Sequence, residues 1–154
     1  MKLEGGSHMA ETVGALVERG IPVIGHLGLT PQSVHALGGY RVQGRDENSA
    51  ERLLSDAKAL EAAGACAIVL ELIPAAVAAR ISKSLTIPTV GIGAGPQCDG
   101  QVLVLHDMLG LNEQFAPKFL KHYANLGDSV RSAVRSFASD VREGKYPGKE
   151  HSFE

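Results

Sequence analysis

Apolar residues along this chain gather in short unbroken runs separated by stretches of helical spacing. Runs at 21–27, 67–73, 87–92 and 102–105 read as strands, and residues 1–5 as the tail of another. They lack clean apolar–polar alternation, which predicts parallel strands buried on both faces. Met9, Val13, Leu16 and Val17 fall on one helical face behind Ser7 as a cap, and Gly20 sits where a left-handed terminating residue belongs. Asn48 and Glu51 have capping-box spacing ahead of Leu53, Leu54, Ala57 and Leu60, and Gly64 ends that helix. Pro74 suits a first helical position before Val77, Ala78 and Ile81.

Ile21-Pro-Val-Ile-Gly25 returns as Ile87-Pro-Thr-Val-Gly91, an internal echo that fits repeated strand–helix units. Such alternation predicts an α/β barrel or a doubly wound sheet. A complete eightfold barrel needs about 250 residues, so a chain of 154 residues with about five strands reads as part of one; a small open α/β sheet is the alternative. From Phe115 the pattern becomes helical. Phe115, Phe119, Leu120 and Tyr123 mark one face, and Asp128 is the expected cap of a helix carrying Val130, Val134, Phe137 and Val141. The organisation expected is a barrel portion over 1–110 and a helical extension and tail over 111–154.

Composition narrows the function classes. With 44% hydrophobic and 21% charged residues the chain has an ordinary globular balance. A net charge of −2 with scattered cations gives no basic stripe for nucleic acid. No run reaches the roughly 18 apolar residues of a membrane span, and the N-terminus does not have the layout of a signal peptide. Cys66 and Cys98 do not form a metal-type pair. The expected setting is cytoplasmic. Gly6-Ser7-His8-Met9 has the look of a cleavage scar, but the helical pattern runs through it and it is read as native.

In a barrel, chemistry gathers at the C-terminal ends of the strands. Glu71 closes the run Ala67-Ile-Val-Leu70, where a carboxylate loses solvation and becomes a candidate general base; a salt-bridged strand-exit residue is the equal alternative. Lys2 and Glu4 are two apart on one strand and share a face, where ammonium and carboxylate could meet a substrate or metal. A mobile chain start is the commoner outcome. His26, late in its strand, can donate to a substrate oxygen, although a lone histidine there is more often structural. The loop at 28–47, about 20 residues long, suggests a lid. Gly91-Ile-Gly-Ala-Gly95 fails the dinucleotide-binding spacing because Pro96 stands where glycine is needed, leaving a turn able to hold a phosphate or a flat ring. His106-Asp107 is a weak candidate pair.

Lys2-Leu-Glu-Gly-Gly6, Gly25-His-Leu-Gly-Leu-Thr-Pro-Gln-Ser33, Gly38-Gly-Tyr-Arg-Val-Gln-Gly-Arg45, Val69-Leu-Glu71, Gly91-Ile-Gly-Ala-Gly95, Asp99-Gly-Gln101 and Tyr146-Pro-Gly-Lys-Glu-His-Ser-Phe153 occur in this order. The series resembles the C-terminal portion of ketopantoate hydroxymethyltransferases over essentially the whole chain. That resemblance implies a partial (β/α)8 TIM-type barrel, about the last five strands, followed by C-terminal helices. It implies Mg2+ and transfer of a one-carbon unit from 5,10-methylenetetrahydrofolate to 3-methyl-2-oxobutanoate, giving 2-dehydropantoate. Glu71 would be the proton acceptor, Lys2 and His26 would contact substrate, and Glu4 would join the metal shell. Assembly would be homo-oligomeric, typically decameric. The family's earlier Gly-Asp-Ser stretch and second metal-binding aspartate do not occur in this sequence, so a truncated product, gene-model fragment or half-barrel is expected. Two alternatives stay open: a non-catalytic half-barrel needing a complementary N-terminal half, and a related Mg2+-dependent carbon–carbon bond enzyme acting on oxo acids.

Overall fold

The computed structural model describes residues 1–153, which form two compact units, Met1–Val102 and the residues from Leu103 onward. In the first unit, strands β1 (Lys2–Glu4), β2 (Ile24–Gly28), β3 (Ala67–Glu71), β4 (Thr89–Ile92) and β5 (Gly100–Gln101) make one sheet in the order β1-β2-β3-β4-β5. Every neighbouring pair is parallel. Helices α1 (Ala10–Val17), α2 (Glu47–Ala62) and α3 (Ala75–Ser84) connect successive strands. Sequential parallel strands joined by helices are the barrel-type α/β arrangement expected from the sequence. The echo segments supply β2 and β4, which flank β3 on either side.

The two sheet faces differ, and this corrects the expectation of strands buried on both sides. Gly25, Leu27, Ile68, Leu70, Thr89 and Gly91 are buried beneath the helices, together with Val13, Ala57, Leu60 and Ile81. The opposite face carries Ile24, Ala67, Val69, Val90 and Ile92, all only half-buried. Parallel runs read as uniformly apolar because both faces are apolar, and the pattern cannot report which face is covered.

Several boundaries differ from the sequence reading for local reasons. Asp46, not Asn48, caps α2, its carboxylate accepting from Ser49 N–H at 2.9 Å and Ser49 Oγ at 2.6 Å. Ser7 lies inside a short 3-10 turn (Ser7–Met9) and donates its backbone N–H to Asp56 at 2.8 Å, so its hydroxyl caps nothing. Pro74 occupies the cap position of α3, one residue earlier than expected. The last strand is β5, Gly100–Gln101; after Val102 N–H donates to Gly91 O at 3.0 Å the chain turns toward α4 (Leu105–Met108). Gly20 and Gly64 do adopt the left-handed conformation (φ 78° and 95°) that stops a helix.

A polar triad closes the N-terminal end of β4. Asp99 accepts from Thr89 N–H at 2.7 Å and from Thr89 Oγ1 at 3.0 Å, and the same hydroxyl lies 2.7 Å from Ser82 Oγ. These bonds hold the Asp99 carboxyl below its usual range, the Thr89 backbone N–H contributing most. Glu61 ties α2 to the start of the same segment, accepting from Thr86 N–H at 2.6 Å and Ile87 N–H at 3.2 Å.

In the second unit the helix expected through Phe115, Phe119, Leu120 and Tyr123 does not form. These residues make turns, Leu120 N–H donating to Pro117 O and Tyr123 N–H to Met108 O. Pro117 explains it: proline lacks the amide a helix needs and disfavours helical geometry in the residue before it. Helix α5 (Leu126–Arg142) does form, but from Asn125 as its cap, with Asp128 in its first turn paired to Arg131.

Candidate active site

Strand alternation and register bring Lys2, Glu4, His26 and Glu71 onto one face of the sheet. Glu4 pairs in register with His26 and Gly28 with Glu71, so the four residues step across β1, β2 and β3 toward their C-terminal ends. Lys2 Nζ lies 2.9 Å from His26 Nδ1 and 3.4 Å from Glu4 Oε1. His26 Nε2 lies 3.0 Å from Glu71 Oε2. His26 and Glu4 are nearly enclosed, with side chains 4% and 8% exposed, whereas Lys2 at 47% reaches solvent. All four sequence candidates therefore share one cluster.

The proton positions follow from donor chemistry. An ammonium has three donors and no acceptor, so His26 Nδ1 accepts from Lys2 and the ring proton sits on Nε2. That Nε2–H faces the Glu71 carboxylate at 3.0 Å, yet the pair is misaligned and the buried nitrogen has no hydrogen-bond partner. An unsatisfied buried donor beside a carboxylate is costly in a structure that does nothing with it. The geometry leaves that N–H open to an acceptor placed beside Glu71.

Two contributors escaped the sequence reading. Gln32 donates its backbone N–H to Glu4 Oε2 at 2.9 Å, fixing the carboxylate from the loop after β2. A backbone contact from a remote loop leaves no trace in residue type. Leu72, the residue after Glu71, has φ 48° and is held by two backbone bonds: its N–H donates to Ile92 O, and its carbonyl accepts from Gln43 N–H, both 2.9 Å. Left-handed backbone at a large side chain is strained and gathers at functional positions. Gly28 has φ 93°, and a Cβ built on it would collide with the Glu71 carbonyl oxygen and approach Ile73 at 2.7 Å.

The remaining candidates take other places. Gly91-Ile-Gly-Ala-Gly95 turns the chain after β4, with Gly93 and Gly95 at positive φ and Gln101 Nε2 donating to Gly95 O at 2.9 Å. His106 and Asp107 lie on α4 in the second unit, where Asp107 accepts from Asn112 Nδ2 at 3.4 Å. Among the described residues no group of three or more His, Cys, Asp or Glu side chains is placed to hold a metal ion. Glu4 offers one carboxylate, already engaged by Gln32 and Lys2. Mg2+ asks for about six oxygens at 2.0–2.1 Å, so the residues present do not by themselves make its site. No helix among the described residues is long and apolar enough to cross a membrane.

A sequence model of ketopantoate hydroxymethyltransferase matches residues 1–149. The chain belongs to this family. It is 59% identical over 153 residues to the 3-methyl-2-oxobutanoate hydroxymethyltransferase of Trichlorobacter lovleyi, 58% identical to that of Paracoccus denitrificans and 56% identical to that of Geobacter metallireducens. Each match covers 99% of this chain but only 55–57% of the relative. The chain thus spans a little over half the length of the ketopantoate hydroxymethyltransferases it matches. Its five parallel strands with connecting helices agree with a partial TIM-type barrel of the family.

Proposed function

We propose that the cluster of Lys2, His26, Glu4 and Glu71 serves hydroxymethyl transfer from 5,10-methylenetetrahydrofolate to 3-methyl-2-oxobutanoate. The reading rests on one observation, the buried and unsatisfied His26 Nε2 standing 3.0 Å from Glu71 Oε2. Glu71 takes the C3 proton of the oxo acid, and the electron pair of that C–H bond moves toward C2 and its oxygen. A carboxylate removes so weakly acidic a proton only if the developing oxyanion is stabilised. Nε2–H of His26 is the donor facing that space. Lys2, polarising the other end of the same ring, adds positive charge at the open side. The nucleophilic C3 then attacks the one-carbon unit of the folate, and hydrolysis releases tetrahydrofolate and 2-dehydropantoate.

Glu4 is assigned one oxygen of a Mg2+ shell whose others would come from the oxo acid and from the part of the family's length that this chain does not span. The ion would act as a Lewis acid on the 2-oxo group. Homo-oligomeric assembly belongs to the same proposal.

A second reading is favoured by the half-buried sheet face at Ile24, Val69, Val90 and Ile92. An uncovered apolar face suits a half-barrel that works only with a complementary half. Exchange of the C3 proton of 3-methyl-2-oxobutanoate in D2O with Mg2+, followed by NMR, separates the two. Exchange by this chain that disappears in Glu71→Gln supports independent base chemistry. A folded chain without exchange removes that claim and leaves the half-barrel reading.

A further inference from the structure

Which way Lys2 and Glu4 face depends on the register of β1, and that strand is three residues long with one hydrogen-bonded neighbour. A slip of one residue along β2 would turn both side chains to the helix-covered face, away from His26. The backbone ladder alone guards weakly against this, because a shifted pairing offers the same kinds of bond. The guard lies in the turn that follows. Gly5, at φ 122°, donates its N–H to His26 O at 3.1 Å, and Gly6 is buried against Asp56 of α2. Asp56 accepts the Ser7 backbone N–H at 2.8 Å, and among the described residues its carboxylate has no other hydrogen bond and no ion pair.

These contacts block a slip in both directions. Moving β1 back by one residue would bring Ser7 to the place of Gly6, where a Cβ collides with the Asp56 carboxylate. Moving it forward would bring Glu4 to the place of Gly5, at a positive φ that side chains rarely adopt. Asp56 is thus a wall behind Gly6 and an acceptor that holds Ser7 at one height. Its helix is anchored in the core through Ala57 and Leu60, so the stop is fixed to the core and not to the marginal strand. We infer that Asp56 is a positioning residue of the candidate site, fixing the register of β1 through Ser7 N–H and Gly6 and so keeping Lys2 and Glu4 beside His26. Its effect on chemistry rests on the proposed transfer reaction, whereas its effect on register does not.

The test is NMR of the whole 154-residue chain and of Asp56→Ala, Asp56→Asn, Gly6→Ala and the double variant Gly6→Ala/Asp56→Ala. Cross-strand contacts of Lys2 with Ile24 and of Glu4 with His26 report the register. The ring-nitrogen resonance of His26 reports Lys2 on Nδ1. Expected in Asp56→Ala and in Gly6→Ala are loss of these contacts and a shifted His26 resonance, with the pairing of β3 and β4 unchanged. Asp56→Asn, which keeps an oxygen for Ser7 N–H, retains both signatures. The double variant is no worse than either single one, because both substitutions remove the same contact. Exchange at C3 of 3-methyl-2-oxobutanoate falls about tenfold in the two single alanine variants, the worth of one hydrogen bond to a charged acceptor, and recovers in Asp56→Asn. An alanine variant that keeps the contacts, an asparagine variant that loses them, or losses that add in the double variant overturns the inference. So does damage spread equally over β3 and β4, or a full exchange rate in a variant whose β1 is displaced. An unaltered chain without exchange sinks the transferase reading instead, and the register signatures, which need no reactant, still decide the role of Asp56.

Discussion

His26 Nε2 and Glu71 Oε2 stand 3.0 Å apart on neighbouring parallel strands without forming an aligned hydrogen bond. In a site awaiting a reactant this is the expected arrangement, because a donor locked to the base would have to be released before it could serve a substrate oxygen. His26→Ala should therefore slow C3 exchange by about ten- to a hundredfold, the worth of one hydrogen bond to a developing charge. His26→Gln, which can restore an N–H, should recover part of the rate. NMR exchange rates across the three proteins check it, and an alanine variant as fast as the unaltered chain would exclude a role for the ring.

Gly28 is predicted to tolerate no side chain. At φ 93°, with the Glu71 carbonyl in the way, Gly28→Ala must shift β3 as well as strain its own backbone. Chemical denaturation should show a loss of about 2 kcal/mol or more, together with lower exchange activity because Glu71 moves with its carbonyl.

Leu72 is predicted to be intolerant of β-branching. Leu72→Val keeps an apolar residue, but a branched Cβ is a steric outlier at φ 48°. A loss of about 1–2 kcal/mol in a denaturant melt is expected. The same substitution should reduce exchange more than Leu72→Met, which is unbranched.

Asp99 should mark the acid limit of stability. Its carboxyl is held below the usual range by Thr89 N–H first and the Thr89 hydroxyl second. The stabilisation is thus fully present above the unfolded carboxylate value of about 3.9, and is lost as pH falls through the lower folded value. Asp99→Asn keeps an acceptor but not the charge. Its melting temperature should be lower at neutral pH and fall less steeply on acidification than that of the unaltered chain. Parallel pH curves for the two proteins would contradict the assignment.

Much of this arrangement was legible along the chain. The apolar runs located β2, β3 and β4, and the two-residue spacing of Lys2 and Glu4 put both on one face; only the strand register shows that His26 and Glu71 share it. Features set by the backbone or by remote partners were not. The Gln32 amide on Glu4 and the left-handed Leu72 arise from tertiary contacts, not from residue type. In residues 115–123 the spacing of apolar residues was misleading, since Pro117 removes an amide that the pattern alone does not count. Asn48 gave way to Asp46 at the start of α2 because both are good caps two residues apart, and only the Ser49 contacts decide between them.

The strand order places β3 at the centre of the five, hydrogen-bonded on both sides, and β1 at the margin with a single neighbour. Fraying begins at margins. Lys2 and Glu4 should accordingly come loose in openings too small to disturb Glu71, and amide hydrogens of β1 should exchange with solvent well before those of β3. Mild denaturant would then disperse the cluster while the far-ultraviolet spectrum still looked native, so the lifetime of this arrangement is governed by its most weakly tethered strand and not by the global melting point.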